Sequence, residues 1–276
     1  SLIQDNSGAL WFINASVLTR FERKTETFHH FSDVFDIGST YCVMEGKDGY
    51  IWVGLETGIS RLNKISGVIR KFPTYISGQP SISNPVYKMY EAGNGNLWLC
   101  HKNKTISVFN KKTESFNHIE NSPPDITNFH EDRSARLWVT SYNGLYQYNR
   151  KSKIFQRRLN QPDDPDRLSD QIVIDITEDS MGYIWIHTCS GIYQYNQMLK
   201  KENYWEHPED NISVFQSYIF GKDRTQSRPI RATYVDKSGT IWFFTPNGIC
   251  KLTKQHNNFV VYKPNSKVIN SQFNIN

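Results

Sequence analysis

Carboxylates are the residues whose type and spacing come closest to chemistry in this chain. Asp163, Asp164 and Asp166 cluster in "NQPDDPDRLSD" at 160–170, and a Glu-Asp pair recurs seven residues before two tryptophans, at 131–132 and 178–179. Clustered carboxylates can bind calcium, and paired carboxylates can act as acid and base in glycoside hydrolysis. The cluster lacks EF-hand spacing, and its two prolines favour a turn-rich connector. The pair recurs at one place in a repeat, which predicts an aspartate that accepts backbone N–H groups in a turn.

Cysteine and histidine show no pattern typical of a metal site or a nucleophile. The four cysteines (Cys42, Cys100, Cys189 and Cys250) form no CxxC pair, and the eight histidines form no HExxH motif. The cysteines are interpreted as small buried hydrophobic residues, with one disulfide left open. No GxSxG, GKS/GKT or dinucleotide-binding loop is present. We therefore expect no catalytic residue, no metal and no cofactor, and we expect this chain not to be an enzyme.

Composition narrows the classes of function further. The chain has 276 residues, a net charge of +5 spread along its length, and 14% aromatic residues. The dispersed charge argues against a nucleic-acid partner. The sequence has no apolar run of 18 residues, so we expect any membrane link to lie in parts of a parent protein outside this chain. The opening "SLIQDNSGAL" is interpreted as the inside of a first strand rather than a signal peptide, which predicts a fragment.

A repeat organises the whole sequence. Its frame is a glycine three residues before a tryptophan and a second glycine six residues after it, as in "EGKDGYIWVGLETGISRLNK" at 45–64. Ala135 replaces the first glycine once, and Val17 and Lys104 replace the second. Successive tryptophans are spaced by 41, 46, 40, 47 and 57 residues. We call these six tryptophans the anchors and expect them to be buried between neighbouring repeats: Trp11, Trp52, Trp98, Trp138, Trp185 and Trp242.

Each repeat contains four short strand patterns and no helical period. The first strand precedes the Asp/Gly turn, and the second contains the anchor. The third strand follows the second glycine, and the fourth follows an "N-x-x-[ST]" turn. Four strands with a period of 40 to 57 residues predict an all-β propeller of four-stranded blades, with six blade motifs. The predicted blades are 1–31, 38–76, 84–119, 125–159, 172–205 and 230–263. We expect 206–229 to be a long connector and 264–276 to begin a further strand, which can pack beside the first blade.

These motifs resemble a known family. "DxxGxxW", then "xxxxxG[IL]xx[YFL]" and "Nxx[ST]xxF", are similar to the two-component regulator propeller repeats in the periplasmic sensors of hybrid two-component systems of gut Bacteroidetes. The resemblance covers 1–265 and departs from the family pattern at the two positions that lack the second glycine and between Pro208 and Pro229. It implies a parent with two seven-bladed propellers, an immunoglobulin-like domain, a membrane helix and a histidine kinase. It further implies a dimeric receptor, a periplasmic sensor and recognition of oligosaccharides released from glycans. A non-catalytic scaffold for protein contact or dimerisation remains the alternative, because one fold hosts many functions.

The turns predict where a ligand would bind. Turns between strands 1 and 2 and between 3 and 4 share one face and are uniform, whereas the inner turns and the connectors vary in length and residue type. Variation in a repeat protein concentrates on its binding face. Amides, imidazoles and aromatic rings can bind a sugar. The candidate ligand-binding residues are His101, Lys102, Tyr142, Asn143, His187, Asn247, Trp205, Tyr218, Arg224 and Arg228.

Overall fold

The fold is all-β. The computed structural model describes residues 1–14, 17–32, 41–74, 84–158, 172–179, 182–188, 192–195, 215–218, 232–236, 238, 240–245, 248–253, 258–262 and 269–271. These residues form 25 strands in six antiparallel sheets and no helix, and hence no helical membrane span. Strands that follow one another in sequence are neighbours in each sheet. This arrangement confirms the predicted propeller-type fold of four-stranded blades.

The chain divides into two compact units, and the first, residues 1–122, contains three blades. Blade 1 consists of β1 (Leu2–Gln4), β2 (Leu10–Asn14), β3 (Val17–Glu22) and β4 (Thr27–Phe31). Blade 2 consists of β5 (Cys42–Glu45), β6 (Ile51–Gly54), β7 (Gly58–Leu62) and β8 (Ile69–Pro73). Blade 3 consists of β9 (Val86–Glu91), β10 (Leu97–His101), β11 (Ile106–Asn110) and β12 (Ser115–Ile119).

The second unit, residues 123–276, contains the other three blades. Blade 4 consists of β13 (Ile126–Glu131), β14 (Leu137–Ser141), β15 (Gly144–Asn149) and β16 (Ile154–Arg158). Blade 5 consists of β17 (Val173–Glu178), β18 (Ile184–Thr188), β19 (Ile192–Tyr195) and β20 (Phe215–Tyr218). Blade 6 consists of β21 (Ala232–Val235), β22 (Ile241–Thr245), β23 (Gly248–Thr253), β24 (Asn258–Tyr262) and β25 (Ile269–Ser271).

The anchor strands form the interior of each unit. Every residue of β6, β10, β14 and β18 is buried, as expected for continuous apolar and β-branched runs covered on both faces. Five anchors are at most 3% exposed, and Trp242 is partly buried. In unit 1, Trp11 packs with Val43, Ile51 and Val53 of the next blade, and in unit 2 Trp138 packs with Ile176. An anchor therefore fills the space between its own blade and the following one.

One segment differs from the predicted boundaries. Strand β20 lies inside 206–229, where a connector was expected, and pairs with β19 as the fourth strand of blade 5. The third strand of a blade exposes unpaired backbone groups at its edge, and a distant segment can satisfy them as well as a short hairpin can. Strand β25 lies within 264–276, where a further strand was expected, and pairs with β24, with Phe259 opposite Ser271.

Candidate functional site

Each blade has two ends with different chemistry. Because its hairpins follow one another, the turns between strands 1 and 2 and between 3 and 4 lie at one end, which we call the Asp/Gly edge. The turn between strands 2 and 3 and the start of strand 1 lie at the other end, which we call the variable edge. The uniform turns of the repeat thus belong to the first edge, and the turns that vary in residue type belong to the second.

A recurring aspartate organises the Asp/Gly edge. In blade 4, Oδ1 of Asp132 accepts hydrogen bonds from the backbone N–H groups of Ser134 and Arg136 at 2.9 and 3.0 Å, and Oδ2 accepts the indole N–H of Trp138 at 2.7 Å. The same aspartate-to-indole bond, at 2.8 to 2.9 Å, joins Asp5 to Trp11, Asp179 to Trp185 and Asp236 to Trp242. The predicted role of the aspartate in the turn is thus confirmed, and its second oxygen also fixes the anchor.

The glutamate that ends the first strand of a blade stabilises the Asp/Gly edge. Oε2 of Glu91 accepts the backbone N–H of Lys47, in the Asp/Gly turn of the preceding blade, at 2.7 Å. Lys111 then bridges Oε1 of Glu91 at 2.8 Å and Oδ2 of Asp48 at 2.9 Å. Equivalent contacts are Glu45 with the Asn6 N–H and Lys64, Glu178 with the Arg133 N–H, and Glu131 with Arg150. Three of these glutamates therefore bind the Asp/Gly turn of the preceding blade, and Glu131 binds an arginine of its own blade.

The asparagine of "N-x-x-[ST]" completes this edge. Oδ1 of Asn149 accepts the backbone N–H groups of Lys151 and Ser152 at 2.9 and 3.1 Å, which forms an Asx turn. Asn63 and Asn110 make the same pair of bonds. The polar side chains of this edge are thus largely committed to the fold.

Two predicted ligand-binding histidines are buried within strands, and the structure corrects their expected position in exposed turns. His101, the last residue of β10, is 2% exposed and bonds through Nδ1 to the Asn84 carbonyl and through Nε2 to the Ser107 hydroxyl. His187 lies within β18, is 1% exposed, and bonds through Nδ1 to Thr233. Strands β10 and β18 each include the first residue of the predicted inner turn, His101 and Thr188.

Three other candidates are exposed at variable edges. Lys102 lies in the β10–β11 turn of unit 1. Tyr142 and Asn143 form the β14–β15 turn of unit 2, where Tyr142 is 59% exposed and Oδ1 of Asn143 accepts a bond from Arg157 at 3.5 Å. Tyr142 and Asn143 are therefore the sequence-predicted pair that the structure places side by side.

The remaining candidates fall on or beyond the limits of the described chain. The backbone of Tyr218 pairs with Ile192 at the end of β20. The candidates outside the described residues are Asn247, Trp205, Arg224 and Arg228. Their binding role stays a prediction.

A β-bulge interrupts the first strand near the variable edge in three blades. Tyr87, Thr127 and Ile174 are the extra residues, each skipped in the pairing with the anchor strand. The residues that follow, ten before each anchor, are Lys88, Asn128 and Asp175. A bulge re-aims the neighbouring side chain and is common beside binding sites.

In unit 2 the bulged positions belong to a polar row that crosses three blades. Nδ2 of Asn128 donates to Oδ1 of Asp175 at 2.5 Å, the Thr233 hydroxyl lies 3.4 Å from Oδ2, and Nδ1 of His187 lies 2.7 Å from the same hydroxyl. Asn128, Asp175 and Thr233 are half-buried on β13, β17 and β21. We call these four residues the inner polar row.

Burial sets the protonation state of the row's histidine. Burial lowers the pKa of His187 to about 4, although the nearby Asp175 carboxylate opposes the shift. The imidazole is therefore neutral near pH 7. Among the described residues its Nε2 has no hydrogen-bond partner, which is unusual for a buried polar atom and is common at sites that bind water or ligand.

Sequence reasoning identified only His187 among the four members of the row. The available signal was the recurrence of a polar residue, at position 128 or 175, ten residues before an anchor. That signal cannot be interpreted without the bulge, because the bulge changes which face of the strand the residue occupies.

Comparisons with known proteins support the fold. No family model matches the chain, and no curated protein sequence matches it. Among solved structures, virginiamycin B lyase from Staphylococcus aureus has a TM-score of 0.68 at 14% identity, covering 96% of this chain and 84% of the lyase. The extracellular domain of a hybrid two-component system from B. thetaiotaomicron has a TM-score of 0.69 at 20% identity, covering 96% of this chain and 35% of that one.

A third similar structure is PorZ, a surface component of the type-IX secretion system of Porphyromonas gingivalis. Its TM-score is 0.66 at 14% identity, covering 91% of this chain and 37% of PorZ. This chain thus spans about a third of the length of the two-component receptor domain and of PorZ. At these identities, the likeness to an enzyme, a receptor domain and a secretion component establishes a shared propeller-type fold.

Proposed function

We propose that this chain is an extracytoplasmic sensor domain of a hybrid two-component receptor and that it binds glycan-derived oligosaccharides at its variable edge. The receptor role is supported by the repeat motifs and by the likeness to extracellular domains of two-component systems. The likeness to extracellular domains supports an extracytoplasmic location, and the resemblance of the repeat motifs to sensor propellers supports the periplasm in particular. The likeness to the lyase, at 14% identity, shows the fold alone, and the recurring acids of this chain are engaged in turns rather than arranged as a catalytic pair.

The contrast between the two edges is the observation that carries the ligand site. The Asp/Gly edge uses its carboxylates and amides to hold backbone and indole N–H groups, whereas Tyr142 and Asn143 are exposed at the variable edge. An exposed aromatic ring can stack on the apolar C–H face of a sugar, and an amide can bond to its hydroxyls.

A scaffold function is the second candidate. Exposed apolar side chains also occur away from the variable edge, for example Phe28 and Ile154, each 57% exposed. In a scaffold these would contribute to contact with a second receptor chain or a neighbouring domain. A sensor and a scaffold differ in whether a soluble glycan binds.

Calorimetric titration of the full-length protein with neutral and acidic oligosaccharide pools tests the proposal. We expect saturable binding of one glycan class, with a loss of affinity of about tenfold in Tyr142→Ala, equivalent to about 1.4 kcal/mol of stacking and contact. Ile154→Ala is the matched control, since Ile154 is exposed to a similar degree but follows the β15–β16 turn at the opposite edge. No binding by any pool, together with a concentration-dependent dimer weakened by Ile154→Ala, would favour the scaffold.

A further inference from the structure

We infer that the inner polar row selects neutral glycans and rejects uronic or sulfated ones, with Asp175 accepting hydrogen bonds from ligand hydroxyl groups. The inference rests on the proposed function and names the class of ligand. It assigns a direct binding role to first-strand residues, which lie behind the exposed turns.

The position of the row suits a ligand that enters from the variable edge. Asn128 pairs with Thr140 and Asp175 with His187, and both partners lie within the last two residues of their anchor strands. Thr140 is followed by Ser141 and then by the exposed Tyr142. The row thus lies one to two residues inside the edge, and the two bulges re-aim Asn128 and Asp175 at the same level of neighbouring blades.

Asp175 has unused capacity to accept hydrogen bonds. Its Oδ1 accepts Nδ2 of Asn128 and the backbone N–H of Ile176, whereas its Oδ2 has one long contact within the described chain, the Thr233 hydroxyl at 3.4 Å. An ionised carboxylate offers about four acceptor sites. One hydroxyl group of a sugar would use the remaining acceptor site on Oδ2, and a second would replace the long contact with Thr233.

The charges around the row disfavour an anion. None of the ion pairs among the described residues involves Asp175, whereas Glu178, at the other end of the same strand, is paired with Arg133. His130 and His187 add no positive charge near pH 7, because burial lowers the pKa of both imidazoles. A uronate or sulfate would therefore approach an uncompensated carboxylate, and like-charge contacts of this kind oppose binding strongly.

The same hydrogen bonds also link blades 4, 5 and 6, so the row supports the fold as well, and the experiment must separate this role from binding. A purely structural row would affect folding but would not affect the preference for neutral over acidic sugars. The discriminating readout is therefore the ratio of two affinities rather than either affinity alone.

The test uses matched sugars that differ only at C6: oligomers of galacturonic, glucuronic and mannuronic acid, each against its neutral counterpart prepared by reduction of the C6 carboxyl groups. In the full-length protein we expect a neutral member to bind at least about tenfold more tightly than its uronic partner. In Asp175→Asn, with folding checked by near-ultraviolet circular dichroism, the neutral affinity should fall and the ratio should approach one. Thr233→Val removes a hydroxyl group of the row, so it should weaken binding, but it keeps the Asp175 charge, so the affinity ratio should be preserved. Ile154→Ala should change neither the affinities nor their ratio.

Binding of a uronic member as tight as that of its neutral partner, or an unchanged ratio in Asp175→Asn, would overturn this inference and leave the proposed function intact. If no pool binds the unmutated protein, the proposed function fails, and this inference fails with it.

Discussion

At the residue scale, one aspartate oxygen explains why the repeat joins an acid to a tryptophan six residues later. A buried indole N–H needs an acceptor, and Asp132 supplies it while its other oxygen closes the turn. The sequence predicted the turn role, because recurrence excludes a site that is needed once. It could not predict the indole bond, which depends on the packing of the anchor.

Replacement of this aspartate should destabilise the fold strongly. Asp132 is 3% exposed, and Asp132→Ala would leave the Trp138 indole and two backbone N–H groups without their acceptor. We expect a loss of about 2–4 kcal/mol in the free energy of unfolding, measured by urea denaturation. Glu114→Ala is the control, because it removes a surface ion pair with Arg70 and should cost less than about 1 kcal/mol. Equal losses in the two variants would contradict this role.

The buried histidine of the inner polar row should make stability depend on pH. The pKa of His187 is lowered by burial from 6.5 to about 4, so between these values the unfolded chain binds more protons than the folded chain. Stability should therefore fall as the pH decreases from about 6.5 to about 4 and should show no further loss from this residue below that range. Thermal unfolding across this range should show a smaller slope in His187→Gln. The slope would remain unchanged if His187 were solvated.

At the element scale, glycines mark the two turns of a blade for different physical reasons. Gly49, in the Asp/Gly turn, has φ +78°, and a Cβ added there would have nothing within 4 Å. Gly58, which opens β7, has φ +151°, and a Cβ there would lie 2.2 Å from the Phe72 carbonyl oxygen and 2.9 Å from the Pro73 Cα. The repeat pattern identified both glycines, but only the paired strands reveal that the second one is sterically required.

Alanine substitutions at these two glycines should therefore differ in cost. Gly49→Ala should lose about 1 kcal/mol, mainly from placing a side chain at positive φ. Gly58→Ala should lose more than about 2 kcal/mol, because β8 must move away from β7. Urea denaturation midpoints of the two variants provide the comparison. A cost for Gly49→Ala as large as that for Gly58→Ala would show that backbone conformation alone determines both positions.

Ala135 stands where the other five repeats have their first glycine, so the reverse substitution can be made there. Ala135 adopts φ +58°, in the left-handed region that disfavours a side chain. Ala135→Gly should raise the free energy of unfolding by about 0.5–1 kcal/mol, since the relieved strain exceeds the added freedom of the unfolded chain. The measurement is the shift in urea midpoint, and a decrease would show that Ala135 is not strained.

Element boundaries also show where sequence reasoning reached its limit. The anchor strands were recognisable because they are continuous apolar runs between two turn signals. Strand β20 was missed because no "N-x-x-[ST]" hairpin precedes it, so nothing local connects it with its partner β19. Bulges were missed for a related reason: the extra residues Thr127 and Ile174 are ordinary strand residues, and only the pairing identifies them.

At the scale of the whole molecule, each unit repeats one blade plan but differs at its variable edge. Unit 1 has Lys88 after its bulge, and unit 2 has Asn128 and Asp175 at the same position. A shared fold with a lyase, a receptor domain and a secretion component is consistent with this division, since function lies in sites placed on a common framework. The sequence predicted the framework from period and turns, whereas the inner polar row depends on contacts between blades.

Hydrogen–deuterium exchange with and without a saturating oligosaccharide tests most directly the claim that ligand binds at the variable edge. We predict slower exchange of amides in the turn from Ser141 to Gly144 and at the starts of β13 and β17, with no change in the turns of the Asp/Gly edge around Ser134 and Lys151. Slower exchange confined to those turns of the Asp/Gly edge, with an unaffected turn at Tyr142, would contradict the claim.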